Sequence, residues 1–155
     1  MTPRDAIEIR PATTDDAAAI CRVAIRTLRE SNARDYSADV IARLAAGFSP
    51  QRIAALIAGR PFYVAIAYGT IVGTANLDGA AARAVFVDPD HQGEGIGASL
   101  MAAIEDLARE RSVATLSVQS SITAEGFYKK LDYVAVGEKV SGTERTIMME
   151  KRLAR

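Results

Sequence analysis

Val85-Phe86-Val87-Asp88-Pro89-Asp90-His91-Gln92-Gly93-Glu94-Gly95-Ile96-Gly97-Ala98 is the stretch whose reading decides the fold. Its first three residues are β-branched or aromatic, as strands prefer, and Pro89 ends the strand by removing a donor and fixing φ. Further on, Ile96, Leu100, Ile104 and Leu107 recur at helical spacing, with Glu94, Glu105, Asp106, Arg109 and Glu110 covering the other side. That pattern predicts a helix from Gly95 to Arg111. Between strand and helix lie glycines at 93, 95 and 97. They strip side chains from the joint, so successive backbone N–H groups can converge on one point. The helix start adds about half a positive charge there. Together these features suit a phosphate or pyrophosphate; the alternative is a plain strand-to-helix turn.

Two phosphate motifs are excluded or disfavoured. The loop lacks G-x-x-x-x-G-K-[ST], so it is not a P-loop. Gly93-x-Gly95-x-x-Ala98 does match the dinucleotide fingerprint, but Asp88 to Gln92 intervene between strand and glycines. The next strand leads into Gln119, Ser120 and Ser121 without the expected acid.

Working outward, Ala81 to Val87 reads as the strand before the loop, entered through the turn signal Asp78-Gly79. Phe62 to Tyr68 and Thr70 to Leu77 are β-rich runs broken by Gly69, so an antiparallel meander precedes the loop. Before it come a strand at Ala6 to Arg10 and a helix opened by Thr13 and Asp16 in a capping-box pattern. Ala17, Ile20, Cys21, Ala24 and Leu28 face the core of that helix. Ala38 to Ala46 and a segment from Ser49-Pro50 to Gly59 predict two more helices. After the long helix come a strand at Val113 to Val118, a short helix at Ile122 to Leu131, and strands at Tyr133 to Val136 and Thr143 to Lys151. The fold class is α/β, with a mixed, mostly antiparallel sheet flanked by helices, and residues 1–155 make one domain.

Composition narrows the function. Nineteen Lys and Arg balance nineteen Asp and Glu, so no basic excess supports a nucleic-acid partner. No apolar run reaches the ~18 residues of a membrane span. One cysteine, Cys21, and one histidine, His91, supply too few thiolate and imidazole ligands for a zinc-type site, so no metal is expected. Without a secretory pattern at Met1 to Arg10, a cytoplasmic location is expected.

The strand Val85-x-Val87-x-Pro89 followed by Gln92-Gly93-x-Gly95-x-Gly97 resembles the coenzyme A loop of the GNAT superfamily of N-acetyltransferases, whose pattern Q/R-x-x-G-x-G/A is met by Gln92, Gly95 and Gly97. Farther on, Ser121-Ile122-Thr123-Ala124-Glu125-Gly126-Phe127-Tyr128-Lys129-Lys130-Leu131-Asp132-Tyr133 is similar to the family's N-x-x-A-x-x-F-Y-x-x-L-G-F, matching at Ala124, Phe127, Tyr128 and Leu131. The resemblance implies an acetyl-CoA-dependent N-acetyltransferase. It would pass an acetyl group to a primary amine of a small molecule or peptide by direct attack in a ternary complex. Val85, Phe86 and Val87 would meet the pantetheine arm and the thioester carbonyl. The amides of Gln92, Gly93, Glu94, Gly95, Ile96, Gly97 and Ala98 would hold the pyrophosphate, and Tyr128 would protonate the leaving thiolate. The acceptor would enter between Glu30 to Tyr36 and Val136 to Gly142, and a homodimer is expected.

Tyr133 is a mild replacement for the pattern's last Phe, and two other departures matter. Ser121 replaces the family's Asn, so its cofactor contact is replaced by a hydroxyl able to cap a helix. Asp132 replaces Gly at a left-handed helix exit. As a residue on an apolar helical stripe, Tyr128 also fits a core aromatic role. Asp78 and Asp88 stand as candidate bases acting through water, and a non-catalytic acyl-CoA-binding module is the alternative function.

Overall fold

The computed structural model describes residues 7–153. The chain runs β1 (Ile7–Pro11), α1 (Ala17–Glu30), α2 (Ala38–Ala46), α3 (Pro50–Gly59), β2 (Phe62–Ala67), β3 (Thr70–Asp78), β4 (Ala81–Val87), α4 (Ile96–Glu110), β5 (Thr115–Ser121), α5 (Glu125–Lys130), β6 (Val134–Ser141) and β7 (Glu144–Arg152). The element order agrees with the sequence reading; Ala6 lies outside the described residues. The seven strands form one sheet in the order β1-β2-β3-β4-β5-β7-β6. All neighbours are antiparallel except β4 and β5.

Local chemistry sets the starts of the helices. The Thr13–Asp16 capping box precedes α1, and Asp16 also accepts from both terminal nitrogens of Arg10 at 2.8 and 3.0 Å. Ser37 and Ser49 cap α2 and α3 by accepting from Val40 N and Arg52 N, and Pro50 opens α3 where its missing donor costs nothing. The apolar face of α1 packs with Ile53 of α3 on Phe62 and Val64. On the opposite face of the sheet, Ile96, Leu100, Met101 and Ile104 of α4 share a core with Leu116, Met149 and the α5 residue Tyr128.

Several boundaries differ from the expectation, among them β5, expected at Val113 to Val118 and found at Thr115–Ser121, and three bear on the site. Gly95 is the N-cap of α4 rather than its first residue. The helix expected from Ile122 begins only at Glu125, because the Ser121 hydroxyl accepts from Ala124 N at 3.1 Å and closes a turn first. β6 continues to Ser141, well past Val136, held by pairing with β7 through an irregularity between Ala135 and Gly137. All eight of its residues are exposed, so hydrophobic patterning could not reveal its full length. Asp132 adopts φ 73, the left-handed exit anticipated from its position.

Candidate active site

The sheet is split at its centre. β4 and β5 pair only at Ala81↔Ser117 and Ala82↔Val118. Beyond Ala82 a bulge intervenes: β3 shifts register between Thr74 and Asn76, and Ala84 takes φ 49. A bulge twists and bends its strand, so β4 turns away from β5. The opening is a cleft of about 870 Å³. Asp88 N donates to Val72 O at 2.7 Å. By antiparallel alternation, the N–H of Val87 therefore points away from β3, toward this opening.

At one end the cleft meets the start of α4. Gly93 and Gly95 have φ 82 and 83, left-handed values that explain glycine at both positions. No side chain caps α4, so the N–H groups of its first turn lack partners among the described residues. Gly97 meets a different requirement: a Cβ there would lie 2.8 Å from the Phe127 ring of α5. The loop is anchored to α1 by Arg26, whose guanidinium reaches Glu30 at 2.5 Å, Asp88 at 2.8 Å and Asp90 at 3.0 Å. Its ionised form is favoured further by these carboxylates. The Gln92 amide donates to Ser31 Oγ at 3.0 Å and Val87 O at 3.1 Å. Its side chain thus fastens the loop to α1 and β4, leaving backbone as the loop's ligand-facing group.

Val85, Phe86, Val87, Gln92, Gly93, Gly95, Ile96, Gly97, Ala98, Ser121 and Tyr128 all line this one cleft. Glu94 does not; its carboxylate lies 3.4 Å from His91 Nδ1. His91 itself lines the cleft and is half-buried. Asp78 and Asp88 are absent from the lining and engaged by arginines, Asp78 by Arg83 at 2.8 Å and Asp88 by Arg26. Neither faces a substrate as a free base.

Tyr128 is 6% exposed, and burial pushes its phenol well above the ordinary tyrosine range. Its hydroxyl has no hydrogen-bond partner among the described residues, although the ring packs edge-on against Phe127 and Tyr133 at 5.0 and 5.6 Å. Behind it, Tyr133 donates to Glu105 at 2.8 Å and Lys151 reaches the same carboxylate at 2.9 Å. That neighbour is satisfied; Tyr128 keeps its hydroxyl free on the cleft wall.

Of the walls found at the far end, only one was expected from the sequence, the segment Glu30 to Tyr36. Asn32, Arg34 and Tyr36 from the α1–α2 connection, Leu44 and Phe48 from the following helical layer, and Glu144 and Thr146 at the start of β7 line this end. Residues 136–142 do not, so the expected wall at Val136 to Gly142 is replaced by β7 itself. Tyr36 closes this end: its hydroxyl donates to Arg145 O at 2.6 Å and accepts from Ile122 N at 2.8 Å. Thr123 donates to Asp35 at 2.7 Å beside it.

Comparison with known proteins bears on this site. The family model described as "Acetyltransferase (GNAT) domain" matches residues 32–153, which span the glycine loop, the split sheet and α5. The chain belongs to this family of GNAT acetyltransferases. It is therefore an acyltransferase by family. A GCN5-related N-acetyltransferase from Rhodopseudomonas palustris is similar at 28% identity, with 99% of this chain and 97% of that chain covered and a TM-score of 0.89. Two further structures share the fold: the PaiA N-acetyltransferase of Thermoplasma acidophilum in complex with coenzyme A, and YncA of Salmonella typhimurium with acetyl-CoA. The first has 20% identity, 94% and 98% coverage and a TM-score of 0.80; the second 24%, 96% and 95%, and 0.67. No curated protein matches the chain significantly.

Proposed function

We propose that this GNAT acetyltransferase takes acetyl-CoA as donor and acetylates a primary amine by direct attack within a ternary complex. The observation that carries the reading is the continuous path from the uncapped, glycine-rich start of α4 to the gap between β4 and β5. The loop amides from Gln92 to Ala98 fit a pyrophosphate, because unpaired donors and a helix dipole meet there. The open edge of β4 offers backbone partners to an extended pantetheine arm. Ser121, with its hydroxyl spent on Ala124 N, contributes to the wall of the gap.

The chain's residues divide the chemistry. The Val87 N–H faces the position where the carbonyl oxygen gains charge during attack. The amine first loses a proton to water, then attacks; the C–S bond breaks with its electron pair passing to sulfur. Tyr128 serves that sulfur. Burial keeps the phenol protonated near neutral pH, so it remains a donor. A full proton transfer from such a phenol to a thiolate of pKa about 8.5 runs uphill. Its first contribution is therefore a hydrogen bond that strengthens as negative charge develops. The sulfur then takes the Tyr128 proton as the nitrogen's second proton restores the hydroxyl through water, so one proton ends on sulfur and one in solvent.

The test combines calorimetry with acetyl-CoA and thiol release with a panel of amines. Binding plus amine-dependent thiol release supports the reading. Binding with no release for any amine leaves an acyl-CoA-binding module, and no binding removes the donor assignment. A second copy of the chain is proposed as partner, pairing along the exposed edge of β6, where Val134, Val136 and Val140 are each more than half exposed; a monomer mass by light scattering at micromolar concentration would refute it. A cytoplasmic location remains part of the same proposal, in keeping with the unpaired, buried Cys21.

A further inference from the structure

We propose that the acceptor amine carries a carboxylate, held by Arg34 and Asn32, and an apolar body resting on Phe48 and Phe86: an amino-acid-like monoamine rather than a polyamine. The inference rests on the acetyltransferase reading and concerns the other end of the same cleft.

The first observation is Asn32. Only 9% exposed, it lines the cleft, and its side-chain amide has no hydrogen-bond partner among the described residues. The amide's polar atoms stay open to the cleft, so a ligand there can accept from its NH2 group in place of water. The second is Arg34, two residues on in the same helical turn (Asn32–Arg34). It lines the cleft and has no acidic partner among the described residues. A guanidinium offers paired donors matched to the two oxygens of a carboxylate, and the Asn32 amide adds a third.

The third observation concerns the opposite sign. Glu144 is the only carboxylate among the described residues lining the cleft, and it is already paired with Arg43 at 2.6 Å. The acceptor end thus presents unspent donors and no unspent acid. A polyamine would bring its second ammonium toward Arg34 with nothing to neutralise it. A carboxylate-bearing amine, in contrast, presents one cation for the reaction and one anion for Arg34.

The apolar surface is local as well. Leu44, Phe48 and Phe86 are half-buried in the lining, with Phe48 and Phe86 edge to face at 5.5 Å. Such a surface takes an aliphatic or aromatic side chain.

The experiment uses the full chain with acetyl-CoA and reads thiol release. Acceptors are leucine and phenylalanine, their decarboxylated counterparts isoamylamine and phenethylamine, and spermidine, with rates referred to free-amine concentration. The expected result is a kcat/KM for at least one amino acid about tenfold or more above its decarboxylated counterpart, the equivalent of one hydrogen-bonded ion contact, with spermidine at background. Arg34→Gln is expected to bring that ratio close to one without changing the acetyl-CoA Kd measured by calorimetry. Because Arg34 is exposed, folding is not at stake. Asn32→Asp, which places a negative charge at the same point, should shift preference toward the plain amines. Equal or better turnover of the decarboxylated amines or of spermidine by the unaltered chain overturns the proposal, as does acetyl-CoA binding without turnover of either amino acid. Failure of acetyl-CoA to bind removes the donor reading itself, and the acceptor class falls with it.

Discussion

At the α4 end of the cleft the walls are mostly backbone: N–H groups of a helix start, two left-handed glycines and the unpaired edge of β4. At the β7 end they are side chains drawn from distant segments, with Asn32, Arg34, Tyr36, Phe48, Glu144 and Thr146 meeting across the fold. Backbone recognition needs a particular run of residue types in one place, because only certain residues permit the conformation. Side-chain recognition needs only that the fold bring suitable groups together. The first end is therefore suited to a constant ligand, and the second to a variable one.

Substitutions can break this contrast in order of effect. The largest is expected at the junction: Tyr128→Phe keeps the ring's packing, removes the hydroxyl and should lower kcat about a hundredfold. The loss should be similar for every acceptor, since the sulfur is common to all; a loss confined to one acceptor would move Tyr128 from the donor side to the acceptor side. Gly97→Ala should act on the donor end alone. Its Cβ would press on Phe127, costing about 1–3 kcal/mol of stability. The Kd for acetyl-CoA should rise about tenfold, as expected when about 1.4 kcal/mol is lost from binding, while relative acceptor preferences stay fixed. Calorimetry and a urea titration measure both.

Tyr36→Phe should do the reverse at the acceptor end. It leaves Ile122 N–H and Arg145 C=O without their partner, each at a cost of about 1–3 kcal/mol if no water replaces it. Acceptor KM should rise several-fold with acetyl-CoA affinity unchanged; a matching fall in acetyl-CoA affinity would show that the two ends are one mechanical unit.

The smallest catalytic effect is expected at Asp16, remote from both. The Arg10 guanidinium holds its carboxyl below the ordinary carboxylate range, with Thr13 N–H adding to the effect. A folded-state pKa below the unfolded one means the unfolded chain takes up the proton first as pH falls. The contribution is thus present above the unfolded value of about 3.9 and is lost as pH drops through the folded value. Urea titrations of Asp16→Asn across the acid range should show a shallower loss, with neither substrate's KM altered.

The same contrast explains what could be read in advance. The glycine loop, the strand before it and the amphipathic α4 were legible because backbone geometry and helical spacing constrain residue type locally. Tyr128 was legible through its resemblance to a known motif, though its hydroxyl's lack of a partner needed coordinates. The resemblance pointed to the segment Glu30 to Tyr36, but nothing local singles out Asn32 or Arg34 within it, and Glu144 carries no signal at all: each is an ordinary polar residue whose meaning comes from a neighbour across the fold. The bulge at Ala84 was hidden for another reason, since an alanine occupies a conformation that glycine would usually announce. The second half of β6, past Val136, escaped because a strand exposed on both faces has no apolar alternation to display.

The abrupt end of pairing between β4 and β5 has a consequence for solvent. In most sheets the central strands trade their amide hydrogens with water most slowly, since both edges are bonded. Here β4 lies in the middle of seven strands, yet the amide of Val87 faces an open cleft. Its hydrogen should exchange far faster than those of Val64 or Ala65 on β2, two strands away and paired on both edges, and faster than its central position alone would suggest. A ligand lying along β4 would restore the missing edge and slow that exchange, so the middle of the sheet, rather than its rim, would report occupancy.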